Sequence, residues 1–349
     1  MLSESHSIIK FLQMLNLDQF LTKPQFEHFM FFMFQMLSEK YHGKISDFEH
    51  AHRTSSGRFL NDSPWDDQLI KSVVQDYLID WIYNHSRLTK KPIYVIIDDT
   101  TCMKTKPSSQ AENPIENCDW HFSHLERRNV YGHQFVTVIL RCGDVSFPFE
   151  ILPYEKENQS KIQLAKEIIK RLPRPPHKGY VEADCWYTSK EMMNTAIEAG
   201  FIYLGAIKTN RIIFPKGNRP KGVQIKEFVK SLALKDLDLV TVENTQYFTY
   251  TYEGKLKSRH LVKIVMSWPK EAVFVSHALR CFISTETALS TKKLLNHYTK
   301  RWIVEIFFKN TKQKFGFGNY QLRSLKGIKR LMLIIQVLYI HLVRMEAAT

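Results

Sequence analysis

A single carboxylate, Glu305, stands in a strongly basic stretch. Between Thr291 and Arg330 it is accompanied by Lys292, Lys293, Lys300, Arg301, Lys309, Lys312, Lys314, Arg323, Lys326, Lys329 and Arg330, and by no other acid. Two further acidic positions end apolar runs: "YVIIDDTT" passes from Tyr94–Ile97 into Asp98 and Asp99, and "YVEAD" ends in Asp184. A continuous apolar run marks a strand buried on both faces, and ligand sites in α/β sheets collect at strand ends. Two strands and one helix delivering carboxylates to one sheet end would assemble hard oxygen donors of the kind that hold Mg²⁺, which keeps waters and phosphate oxygens as its other ligands. Alternation sends Asp98 and Asp99 to opposite faces, so one of the two reaches such a metal, and it sets Glu182 beside Asp184 as a competitor. Taken singly, each carboxylate serves equally well as a turn residue or strand cap; their coincidence points to the metal.

The elements that must carry these groups follow from periodicity. At about 100° per residue, Tyr298, Arg301, Glu305 and Lys312 fall within an arc of about 60° on a helix running from His297 to Gly316. Ile303, Val304, Ile306 and Phe307 occupy the other side as an apolar stripe expected to face the core. A plain surface helix with an Arg301–Glu305 pair, worth a few tenths of a kcal/mol, accounts for this segment alone equally well.

Residues 1–91 read as an all-helical N-terminal unit, with "FEHFMFFMFQML" as an apolar helix and Ser63, Pro64 and Asp66 as the start of "WDDQLIKSVVQDYLIDWIYNH". From Pro92 the period becomes that of strands: "IYVIIDD", "YGHQFVTVILRCG" and "VSFPFEILPY". The helix "NQSKIQLAKEIIKRL", the strand "YVEADCW", the helix "SKEMMNTAIEAG" and the strand "FIYLGAIK" follow. The expected organisation is an α/β core in 92–208, a β-rich insertion in 209–287, and C-terminal helices in 288–349 that return to the core carrying Glu305.

Of 349 residues, 44% are hydrophobic and 24% charged, a globular composition, and the net charge of +14 makes a polyanion the expected partner, nucleic acid ahead of an acidic membrane surface. Five cysteines without a C-x-x-C pair argue against a disulfide framework. The longest apolar run, "LMLIIQVLYIHLV", is too short to span a bilayer and reads as a buried helix, so no membrane association is expected and the cytoplasm is the default location.

The spacing Tyr298, two residues, Arg301, three residues, Glu305, six residues, Lys312 resembles the Y-R-E-K signature of one branch of the DDE transposases of bacterial insertion sequences. "DDTT" at Asp98–Thr101 resembles that family's first aspartate motif, "ADCWY" at Ala183–Tyr187 its second, and "RFLNDSPWD" at Arg58–Asp66 an N-terminal stretch of many members. The resemblance covers nearly the whole chain. It implies a ribonuclease-H-like mixed sheet core, a β-rich insertion between the second aspartate and the glutamate, and DNA binding by the N-terminal unit. By the same likeness the catalytic and metal-binding triad is Asp99, Asp184 and Glu305, with Asp99 preferred to Asp98 because it directly precedes the threonines. Tyr298, Arg301 and Lys312 would contact DNA phosphates. The implied cofactor is Mg²⁺, with Mn²⁺ as a substitute, and the implied partners are double-stranded terminal inverted repeats and target DNA, engaged by a dimer assembled on DNA beside the nucleoid. The implied activity is metal-dependent cleavage at transposon ends and transfer of the 3′-hydroxyl to target DNA. A domesticated, non-cutting DNA-binding protein and another ribonuclease-H-like nuclease are the alternatives, and neither explains the four-residue helix signature.

Three weaker features carry expectations of their own. Cys118, His121 and His124 in "CDWHFSH" lack a fourth ligand and read as a polar hairpin loop rather than a zinc site. "KTNRIIFPKGNRPK" reads as a basic loop that tracks a DNA backbone. Trp268 and Trp302 read as core residues.

Overall fold

The computed structural model, which describes residues 2–49, 52–112, 114–123, 126–215, 222–257 and 260–348, is a mixed α/β protein with helices flanking a mixed sheet. The chain begins with helices α1 (Leu2–Met14), α2 (Leu17–Phe20), α3 (Lys23–Met36), α4 (Arg53–Asn61) and α5 (Asp67–Thr89). Strands β1 (Ile93–Met103), β2 (Asp119–Ser123), β3 (Arg128–Cys142) and β4 (Val145–Pro153) follow, then α6 (Lys161–Arg171), β5 (Gly179–Ala183), α7 (Lys190–Glu198) and β6 (Ile202–Ala206). Next come β7 (Ile212–Ile213), β8 (Val223–Gln224), α8 (Ile225–Phe228), β9 (Asp238–Val242), β10 (Thr245–Lys255), β11 (Leu261–Pro269) and β12 (Arg280–Ser284). Helices α9 (Thr291–Tyr298), α10 (Trp302–Lys314) and α11 (Leu325–Ala348) complete it.

Local chemistry accounts for several of these boundaries. The Thr22 amide donates to Gln25 Oε1 at 2.9 Å, which, with Pro24 in the first turn, starts α3. The Asp66 carboxylate accepts from the Gln68 and Leu69 amides at 3.0 Å each and so caps α5.

The chain divides into two compact units, one of residues 1–88, 98–164 and 304–349, the other of 89–97 and 165–303. Strand β1 thus gives its first five residues to the second unit and Asp98–Met103 to the first.

In the first unit β3 pairs antiparallel with both β2 and β4 and neighbours β1. Helix α11 packs on β4, α3 and α4. Its apolar face, including Ile334, Ile335, Val337 and Leu338, is fully buried, and Gln336 Nε2 donates to the Pro148 and Phe149 carbonyls at 2.9 Å each. Among the described residues no helix is long and apolar enough to cross a membrane, and all five cysteines are free thiols.

The end of α10 depends on glycine. The Phe317 amide reaches back to the Thr311 carbonyl at 3.1 Å, and Gly316 takes φ +61° to allow it. A Cβ on Gly316 would lie 2.0 Å from the Cα of Gly43, itself at φ +104°. Gly316→Ala is therefore expected to lower stability by about 2 kcal/mol or more, read as a fall in the urea midpoint; an unchanged midpoint would show that this close approach can relax.

In the second unit the sheet runs β1, β5, β6, β12, β11, β10, β9. Strands β1, β5 and β6 are parallel, with Ile97 registered against Ala183 and Ala183 against Gly205, and the remaining neighbours are antiparallel. Helix α7 packs on β6, and α9 on β6 and β9. The face of α9 is fixed by His297, whose ring stacks on Tyr180 with centroids 4.4 Å apart while its Nδ1 lies 2.6 Å from the Tyr94 hydroxyl.

Four sequence expectations are corrected here. "CDWHFSH" contains the strand β2 rather than a hairpin loop, because pairing with β3 supplies the ladder that its mixed pattern does not advertise; His124 lies outside the described residues. The single helix from His297 to Gly316 is interrupted by a 3₁₀ turn at Thr299–Arg301, whose tighter winding departs from a uniform rotation of about 100° per residue. Ile306, expected inside with Val304 and Phe307, is 38% exposed, while Phe308 takes the buried place. Trp302 is 61% exposed, unlike the buried Trp268.

Candidate active site

Asp99 lies in β1 beyond the apolar run Ile93–Ile97, half-buried, and its carboxylate is held from two elements. Lys161, the first residue of α6, places Nζ 3.0 Å from Oδ1 and 3.1 Å from Oδ2, and Gln134 of β3 donates Nε2 to Oδ2 at 2.5 Å. Asp98 is used differently: its Oδ1 accepts the Asp99 backbone amide at 2.8 Å. The Asp99 carboxylate is thus fixed by side chains from two other elements. Nearby, buried His121 of β2 is pushed below the usual imidazole range by burial; Asp119 opposes that shift, Lys156 and Lys161 add to it, and Asp99 opposes it.

Lys312 of α10 reaches the residues just after Asp99. Its Nζ donates to Thr100 Oγ1 at 2.6 Å and to the Thr101 carbonyl at 3.3 Å. Glu305, half-buried on the same helix, stands about 10 Å nearer its N-terminus, given about 1.5 Å of rise per residue.

Asp184 directly follows β5, where the chain turns. Its Oδ1 accepts the Trp186 amide at 2.9 Å and the Tyr187 amide at 3.3 Å, an Asx-type turn that fixes the carboxylate; among the described residues no group donates a hydrogen bond to Oδ2. Thr188 ties the far end of that turn to β6, donating to the Ala206 carbonyl at 2.5 Å with the Tyr203 hydroxyl 2.9 Å away.

Tyr298 and Arg301 belong to the same unit as Asp184. Burial pushes the Tyr298 phenol far above its usual range; Arg301 opposes this, and the negative charges of Asp184 and Glu182 reinforce it. The phenol therefore keeps its proton at neutral pH and can act as a hydrogen-bond donor. The Arg301 guanidinium lies 5.7 Å from the Tyr298 ring centroid, and that ring packs on Phe282 with centroids 4.7 Å apart.

The six expected site residues thus divide three and three: Asp99, Glu305 and Lys312 in the first unit, Asp184, Tyr298 and Arg301 in the second. Carboxylate oxygens are the right donors for a hard divalent cation. Among the described residues no three carboxylate, imidazole or thiol groups are gathered closely enough to hold a metal ion, and at Asp99 the facing positive charge is the Lys161 ammonium.

Lys161 and Gln134 escaped the sequence reading. The available signals were a glutamine inside the apolar run of β3 and a lysine at a helix N-terminus, where the helix dipole disfavours a cation. Cys118 has His133 as its imidazole neighbour, with Nε2 3.5 Å from Sγ, and burial pushes its thiol up to about 11, away from the thiolate a metal would need. Of the basic loop, Arg211 is turned onto the Thr188 carbonyl at 3.2 Å, and residues 216–221 lie outside the described residues.

No curated protein matches this chain. The family model described as a transposase DDE domain matches residues 90–340, a span that contains Asp99, Asp184 and Glu305 together with the strands and helix that carry them. The chain belongs to the family of DDE-domain transposases.

Proposed function

We propose that the protein is a DNA transposase of the Y-R-E-K branch that cuts at the terminal inverted repeats of a bacterial insertion sequence and transfers the freed 3′-hydroxyl to target DNA. The observation that carries this reading is the family match over residues 90–340, within which Asp99, Asp184 and Glu305 occur in the required order. On this reading the sheet elements form a ribonuclease-H-like core with 209–287 as its insertion, and the helices of 1–91 bind DNA. Asp99, Asp184 and Glu305 would supply the carboxylate oxygens for Mg²⁺, for which Mn²⁺ would substitute. The metal, when bound, supplies positive charge to the attacking and leaving oxygens of an in-line phosphoryl displacement.

The chain's own residues account for the rest. Asp184, fixed by two backbone amides, has Oδ2 available as an oxygen donor. Tyr298, kept protonated, donates its hydroxyl to a phosphate oxygen, and Arg301 beside it offers the planar fork that suits phosphate. Lys312, anchored to the residues after Asp99, adds charge to the DNA path. A net charge of +14 draws the duplex to the protein, and joining two ends calls for a dimer assembled on DNA, in the cytoplasm at the nucleoid.

The direct test uses linear DNA carrying the element's ends. Mg²⁺ or Mn²⁺ is expected to support cleavage and strand joining, and chelation with EDTA to stop both. Salt-sensitive binding with no metal-dependent nicking would instead select a non-cutting DNA-binding protein.

A further inference from the structure

The Lys161 ammonium sits almost equidistant from the two oxygens of Asp99, 3.0 and 3.1 Å away, where a bidentate cation would sit. Its side chain is only 11% exposed, and that of Asp99 16%, so solvent screens the pair weakly. Lys161 is also the first residue of α6, an 11-residue helix, so its charge faces the positive end of the helix dipole. That position is unfavourable for an ammonium unless a carboxylate compensates it, and Asp99 does so. The rest of the cradle holds the pair in register: Gln134 Nε2 bonds Oδ2, and the Tyr154 ring centroid lies 6.0 Å from Nζ.

We propose that Lys161 is an internal counter-cation of Asp99, competing with divalent metal for the same carboxylate and so setting how tightly the site loads. The inference rests on the reading of Asp99 as a metal ligand. A metal ion approaching Asp99 must displace the ammonium from between the two oxygens or accept it as a like-charged neighbour, and either event weakens binding. Lys161 therefore acts as a positioning residue: it holds the carboxylate in place and restrains premature loading.

The test is equilibrium binding of Mn²⁺ to the full-length protein without DNA, followed by the electron paramagnetic resonance of free Mn²⁺. Lys161→Met is expected to bind Mn²⁺ roughly tenfold more tightly than wild type, because a charge partner at this distance shifts a carboxylate's preference for its cation by at least that factor. Lys161→Gln supplies a second neutral variant should the first fold poorly, and Lys161→Arg, which keeps the charge, is expected to bind as wild type does. Asp99→Asn is expected to lose the site. If Asp99→Asn binds as wild type, the ligand reading of Asp99 fails and takes the inference with it. If Asp99→Asn loses binding while both neutral Lys161 variants bind as wild type or more weakly, the counter-cation role alone is refuted.

Discussion

Asp184→Asn is expected to reduce Mg²⁺-dependent cleavage of end-containing DNA by at least about a thousandfold, the scale on which charged groups stabilise phosphoryl-transfer transition states. The substitution is a clean one because the turn needs only an acceptor at this position: Oδ1 receives the Trp186 and Tyr187 amides at 2.9 and 3.3 Å, and an asparagine oxygen can do the same. The backbone around Thr188 should persist, and thermal unfolding should stay close to wild type. Lost activity can then be assigned to the missing negative charge. Glu305→Gln is expected to behave likewise, since the half-buried Glu305 is the lone acid of its basic segment. Nicking by either variant at the wild-type rate would remove the triad from the reaction.

The largest expected effect on stability belongs to Arg330→Ala, at about 3–5 kcal/mol. Arg330 is only 2% exposed and serves as the hub for the segment "RFLNDSPWD". Its Nη1 donates to the Leu60 carbonyl at 3.1 Å and the Ser63 carbonyl at 2.8 Å, Nη2 donates to the Trp65 carbonyl, and Nε pairs with Asp67 Oδ1 at 3.0 Å. The guanidinium also stacks 4.3 Å from the Trp65 ring centroid. Alanine would strand several buried carbonyls and the Asp67 carboxylate, and would remove the stem that fills the space beneath them. Arg330→Lys is expected to recover only part of the loss, because a point charge cannot serve the carbonyls in a fixed fork. Urea denaturation followed by tryptophan fluorescence measures both. An Arg330→Ala midpoint equal to wild type would mean that water takes over these contacts.

Parts of this architecture were legible in the sequence and others were not. The runs "IYVIIDD", "YGHQFVTVILRCG", "VSFPFEILPY" and "FIYLGAIK" coincide with β1, β3, β4 and β6, since long apolar strands declare their period locally. Strand β2 was hidden because alternating His121 with exposed Trp120 and Phe122 gives no clear buried face. The break at Thr299–Arg301 carries neither glycine nor proline, so nothing in the local sequence marks it. The likeness of "RFLNDSPWD" to a family stretch was visible, whereas its anchoring by a residue 263 positions away from Asp67 was not.

By itself the sequence determined the order of the acidic residues, the strands and helix that bear them, and the basic character of the chain, because charge, periodicity and spacing are properties of neighbouring residues. Only the tertiary structure decided that Asp99 faces the ammonium of Lys161, 62 positions on, that Lys312 docks on Thr100, and that the Tyr298 ring packs on Phe282. Those pairings arise when burial forces a polar or charged group to take whatever partner the fold brings within reach, and no local pattern encodes which one that will be.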